Sequence, residues 1–239
     1  MRCGGPGAPP NLAGIQDTRH RAMVDLPLFP LQTVLFPGAT LPLQVFEPRY
    51  LTMIQRCLEE GIPFGVVLIR SGQEVGGPAV PFEVGTTARI SNVQRAPGGR
   101  LHVLALGVQR FRILQTSQHE PYLTGTVEFL EDEDTEAPET LEAAQRVGEL
   151  FRQYTHLMLA VNGEWTRTVA LPSQPGALAD HVAARLELEN RTKQRLLEEL
   201  SVLRRLAVEQ RLLTGALETL THQLVGVRRL KYETMGIWN

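Results

Sequence analysis

The hydrophobic period of this 239-residue chain changes once, near residue 131, and that change limits the folds open to it. Before it, apolar residues alternate or come in short runs; after it they recur every three or four positions, so strands give way to helices. The first half opens on PLFPLQTVLFPGATLPLQVFEPRY (27–50), short β-segments broken by prolines, with Pro37-Gly38 as a turn. Pro48 suits the first turn of a helix, where its missing N–H costs nothing. Tyr50, Leu51, Ile54, Cys57 and Leu58 then recur at helical spacing until Gly61 stops them. PFGVVLIR (63–70) reads as a buried strand. VGTTARISNVQR (84–95) alternates, with Val84, Thr86, Ala88, Ile90 and Asn92 on one face. PGG (97–99) predicts a hairpin turn, and LHVLALGVQRFRILQT (101–116) two strands joined or kinked at Gly107. YLTGTVEFLED (122–132) adds one more strand.

In the second half, Leu141, Ala144, Val147, Leu150, Phe151, Tyr154, Leu157 and Met158 mark an amphipathic helix of about 20 residues. A second helix starts near Pro175 with Leu178, Val182 and Leu186 inward. Asn190 is the expected N-cap of a third, which carries Leu196, Leu197 and Leu200. The last begins near Ser201. Its Leu203, Leu206, Gln210, Leu213, Leu217, Leu220, Leu224 and Val227 form a heptad seam interrupted by one Gln. The flanking positions Ala207, Glu209, Thr214, Ala216, Thr221 and Gln223 carry almost no charge, which favours packing within the chain's own bundle over self-association. Between the halves, the charge run at 131–136, within the acidic segment EDEDTEAPE, reads as a solvated linker. The expected fold class is therefore α+β: a β-domain with one helix over 23–131, then a helical bundle over 132–239.

Composition narrows the function. A net charge of -2 gives no global field for nucleic acid or anionic membrane. Cys3 and Cys57 lie in unlike contexts, a Gly/Pro-rich tail and a helix, so no disulfide framework is expected and a reducing cytoplasm is the natural compartment. No apolar run approaches the roughly 18 residues that span a bilayer. Residues 1–22 lack a signal-peptide core and read as a disordered extension, with Met23 as the expected true start. Neither lysine, Lys193 or Lys231, follows a glycine, so the chain has no P-loop; it also lacks a G-x-S-x-G elbow. The six histidines have no metal-ligand spacing, and no cofactor is expected.

The opening stretch resembles the start of the Lon protease N-terminal domain family, whose members begin with a PLFPL…VLFPG…LPL…FE.RY pattern. The resemblance continues through FGVVLIRSGQEVG (64–76), FEVGTTARI (82–90), GRLHVLALGVQRFRI (99–113) and LADHVAARLELENRTKQRLLEE (178–199). It implies a PUA-like β-barrel followed by a helical bundle. It also implies recognition of unfolded or tagged polypeptide without an ATPase module or Ser-Lys peptidase dyad, hence a non-enzyme that works with a separate ATPase or protease.

Within the opening stretch the aromatic and aliphatic residues read mainly as core. Glu47 and Arg49 have a structural reading, with Glu47 accepting from the free N–H groups of the helix and Arg49 pairing with a carboxylate or loop carbonyls. The functional reading makes Glu47, Arg49 and Tyr50 the polar rim of a peptide groove with Phe36 and Phe46 at its floor. Arg70, Glu74 and Arg89 border strand ends and extend the candidate binding face. Two other functions stand against peptide binding. RNA binding rests on analogy with PUA-like folds and lacks a basic, aromatic-interleaved face. A structural role rests on self-association through the last helix.

Overall fold

The computed structural model of the protein describes residues 23–75, 77, 79–161 and 168–235, with side chains as far as residue 222. The expected extension at 1–22 lies outside these residues. The strands are β1 (Met23–Leu31), β2 (Thr40–Val45), β3 (Phe64–Gly72), β4 (Ala79–Pro81), β5 (Val84–Arg95), β6 (Leu101–Ser117) and β7 (Thr124–Phe129). The helices are α1 (Pro48–Glu60), α2 (Pro138–Val161), α3 (Pro175–Arg185), α4 (Asn190–Glu198) and α5 (Val202–Met235). β1 pairs antiparallel with β7 and parallel with β3, so the path β1-β7-β6-β5-β3 returns to its start as a closed barrel. β4 adds to β3, and β2 adds to the first half of β6. Closure leaves few free edges, and β2, off the closed path, keeps one edge without a strand partner among the described residues.

α1 packs on the barrel because its inward residues are apolar at helical spacing. Tyr50, Met53, Ile54 and Cys57 are buried against Phe29, Leu31, Phe64 and Val66. Met53 takes the place expected of Leu58, which is half exposed. Gly61 ends the helix at φ 65°, a left-handed conformation that glycine adopts without a Cβ penalty. Burial pushes the Cys57 thiol up to about 11, so it is a packed side chain rather than a nucleophile.

Two strand expectations need correction. β6 is one continuous strand of 17 residues rather than two, and the irregularity expected at Gly107 is a bulge, with three steps of β6 from Gly107 to Arg110 against two of β5. Gly107 also serves close approach: its N–H donates to Ala39 O and its carbonyl accepts from Gly38 N–H, both at 2.9 Å. A Cβ there would collide with the Phe36 carbonyl oxygen. In β5 the expected alternation fails: Gly85 and Thr87 are buried along with the expected face, and an extra β5 residue between Ile90 and Asn92, opposite Ala105 and Leu104, shifts the register beyond it. Val84 through Ala88 are all buried, and Asn92 is exposed.

The helices bury a second core of Val147, Phe151, Leu178, Val182, Leu206 and Leu213. Leu206, Leu213 and Leu220 of the expected seam face inward, against α2 and α3, whereas Leu203, Gln210 and Leu217 are half-buried. Leu224 and Val227 lie outside the described side chains. The acidic segment is not a solvated linker. Asp132 binds two arginines, and Asp134 accepts from Ser201 Oγ at 2.6 Å and from Leu203 N–H at 3.3 Å. Ser201 Oγ in turn accepts from Arg204 N–H, so the first turn of α5 is capped from across the fold.

α4 joins the two halves. Leu196 and Leu197 pack with Phe36, Val84, Leu130 and Ala183, and Gln194 donates to Val84 O at 2.9 Å. Asn190 is not the N-cap: that position is Glu189, and the Asn190 amide donates to Gln32 O on the barrel. Beneath α4 lies a network of buried charge. Arg110 of β6, 4% exposed, donates to Leu197 O at 3.1 Å, to Asp132, and through both terminal nitrogens to Asp180. Arg205 of α5 reaches Asp180 Oδ1 at 2.6 Å and Asp132 Oδ2 at 2.7 Å.

One turn along α5, Glu209 is 0% exposed, and neither carboxylate oxygen has a hydrogen-bond partner among the described residues. Burial pushes its pKa well above the ordinary carboxylate value; Arg205 and Arg110 oppose that shift and Asp180 adds to it. The folded state therefore holds a proton that the unfolded chain gives up in the ordinary carboxylate range. Its contribution to stability is complete below that range and is lost as pH rises towards the raised folded value. Glu209→Gln, neutral at every pH, is expected to remove this fall. Thermal melts of both proteins across acid to mildly alkaline pH would show it, and parallel curves would refute it.

Candidate functional site

The chain leaves β2 and enters α1 through Phe46 and Glu47, and this corner forms one wall of a groove of about 310 Å³. Leu41 to Val45 of β2 line one side. Phe29, Leu31 and Thr33 line the other, with Tyr50, Glu74 and Val75 at the end. No β6 residue contributes, so the groove follows the edge of β2 that has no strand partner among the described residues. β2 exposes alternate residues, and Leu41 and Leu43 between them are half-buried against the core. Phe46 is 52% exposed.

The polar corner is held by Arg49. Its Nε and Nη2 lie 3.1 and 3.0 Å from Glu47 Oε2, and its other contacts are the carbonyls of Gly77 and Glu74, at 3.4 and 3.5 Å. Its guanidinium carbon stands 4.6 Å from the centre of the Tyr50 ring, which stacks on Phe29 with centroids 4.2 Å apart. Burial raises the Tyr50 phenol, and the Arg49 charge opposes that shift. Arg49 thus ties the loop after β3 to the start of α1. The Glu47 carboxylate does not cap the helix. Its backbone carbonyl accepts from Tyr50 and Leu51 N–H, while the side chain turns to Arg49. The Glu74 carboxylate accepts from Gln32 N–H at 2.9 Å.

Of the residues singled out from the sequence, Phe46, Glu47, Tyr50 and Glu74 line this one groove, with Arg49 at its corner. Phe36 does not join them. It is 1% exposed beneath α4, because the close approach at Gly107 turns the segment before β2 towards the helices. Arg70 and Arg89 are exposed on β3 and β5 and line no part of the groove. Sequence reasoning missed Thr33 and Val75 as wall residues, and it read Leu41 and Leu43 mainly as core. The alternation of TLPLQV was the available signal for an open strand edge.

A larger cavity of about 470 Å³ lies where the barrel meets the helices, beside Arg110 and Asp180. Those two groups are already bound to each other, so the cavity's strongest charges are satisfied internally. Among the described residues no three His, Cys, Asp or Glu side chains converge as metal ligands. No described helix is long and apolar enough to cross a membrane.

Residues 25–215 match the model of the ATP-dependent protease La (LON) substrate-binding domain. The chain belongs to the Lon substrate-binding domain family. Its similar curated proteins include the Lon protease of Anaeromyxobacter dehalogenans, 31% identical over 198 residues, which are 82% of this chain and 24% of that protein. Another is Lon protease 2 of Myxococcus xanthus, 30% identical over 216 residues, or 89% and 26% of the two chains. The Lon-family chain thus spans about a quarter of the length of the curated relatives it matches.

Among solved structures, it is similar to the Lon N-terminal domain protein from Xanthomonas campestris. The TM-score is 0.59 at 32% identity, covering 77% of this chain and 95% of that one. The N-terminal domain of the Mycobacterium avium complex Lon protease shares the fold, with a TM-score of 0.56 at 22% identity over 80% of this chain and 98% of that one. The Lon family match takes in the barrel, α2 to α4 and the first turns of α5, in agreement with the barrel-then-bundle architecture implied by the sequence.

Proposed function

We propose that this Lon-family domain binds exposed or extended polypeptide segments in the groove beside β2, supplying recognition rather than catalysis and acting with a separate ATPase or protease. One observation carries the reading: an apolar groove lies along the edge of β2 that has no strand partner among the described residues. An extended segment there pairs its backbone with the edge and sends alternate side chains into the groove. Pro42 removes one donor from β2, so pairing along the edge is interrupted rather than continuous. That interruption disfavours indiscriminate strand addition, the usual hazard of an open edge.

Phe46 is the exposed anchor of this site. Phe46→Ser is expected to weaken binding of an extended apolar peptide about tenfold, a loss of roughly 1.4 kcal/mol, which is below the roughly 1.5–3 kcal/mol of a full burial because the free protein already half-buries the ring. Fluorescence anisotropy with a labelled peptide and its scrambled polar control measures it. Undiminished binding by the variant would move the site elsewhere. No preference over the control would sink the reading.

A further inference from the structure

The groove is one-sided in charge. Among the described residues its lining contains two carboxylates, Glu47 and Glu74, and no basic side chain. Arg49, the cation at the corner, is committed to the Glu47 carboxylate, two loop carbonyls and the face of Tyr50. Glu74 is placed differently. Its carboxylate is oriented by the Gln32 N–H, and no cation pairs with it among the described residues. An occupant of the groove therefore meets an apolar floor and a mouth with a surplus of negative charge.

We propose that the groove selects segments in which an apolar side chain is flanked by Lys or Arg, the apolar group lying by Phe46 and Leu43 and the cation pairing with Glu74. This rests on the peptide-binding reading above and adds the chemistry of the ligand. A basic neighbour gains an ion pair at a half-buried carboxylate, and an acidic neighbour meets repulsion. Because the groove is open to solvent, the preference is modest and weakens with salt.

The test uses the full 239-residue chain and three labelled extended peptides with one apolar centre, flanked by Lys, Gln or Glu. In anisotropy titrations at low salt, the Lys-flanked peptide is expected to bind about fivefold more tightly than the Glu-flanked one. Glu74→Gln keeps an acceptor for the Gln32 N–H but removes the charge, and should bring that ratio towards one, as should 0.5 M salt. Equal binding of Lys and Glu peptides by the unaltered protein refutes the charge preference and leaves peptide binding intact. If none of the three binds, both readings fail. A preference that survives Glu74→Gln refutes the assignment to Glu74.

Discussion

Arg110→Ala is expected to destabilise the protein by about 3–5 kcal/mol, the scale on which a buried ion pair fails when one partner is removed. Arg110 links the strands of the barrel to α3, α4 and the acidic segment at one point, through Asp180, Leu197 O and Asp132. Without it, Asp180, 3% exposed, keeps Arg205 alone among the described cations that pair with it, and the Leu197 carbonyl loses the Arg110 donor. Burial already raises the Asp180 pKa, and Arg110 is the first of the groups that oppose the shift. In the variant the carboxyl therefore binds its proton more readily, and the gap to the unaltered protein narrows as pH falls. Urea unfolding near neutral pH should show the loss, and a thermal scan a drop on the order of 10 °C for a chain of this size. A change under about 1 kcal/mol would mean that the network is not a structural hub.

Gly107→Ala is the second substitution with a large expected effect, about 1–3 kcal/mol of destabilisation from overpacking. The added Cβ meets a backbone oxygen, that of Phe36, which cannot rotate away as a side chain would, and it crowds Leu35 at 3.2 Å. Relief requires the segment before β2 to move out, which breaks the two hydrogen bonds shared with Gly38 and Ala39. The shift also withdraws Phe36 from its contacts with Leu196 and Leu197, so the damage reaches the barrel–helix junction. Chemical denaturation is the direct measurement. A variant as stable as the parent would show that the junction tolerates displacement.

The local signals in the sequence were informative where one element decides its own geometry. The change of period near 131, Gly61 at the end of α1 and the inward Leu178 and Val182 of α3 all follow from neighbours within one or two turns. What was hidden depends on partners far along the chain. Arg110, Asp180 and Arg205 each look like ordinary surface charges, and only the folded chain joins them. A weak trace was present in α5, where Arg205 and Glu209 fall on the same stripe as Val202, Leu206 and Leu213. Polar residues inside an apolar stripe signal a buried site. The groove was half legible: nearness in sequence grouped Phe46, Glu47, Tyr50 and Arg49 correctly in space, but the same logic misplaced Phe36, which a hairpin contact with β6 carries to the opposite side.

The way the barrel closes sets an order for its folding. β1 can find its parallel partner β3 early, since Leu28 pairs with Gly65. Its antiparallel partner arrives about a hundred residues after β1, where Met23 meets Glu128, and such distant pairings slow the search more than they weaken the product. Arg110 then waits for Asp180 and Arg205, which emerge from the ribosome later still. A nascent chain with its strands complete but its helices unfinished would expose Phe36 and Leu130 and hold a guanidinium without its carboxylates. Slower translation through the helical half is therefore expected to lengthen the time for which Phe36 and Leu130 stay uncovered in the nascent chain.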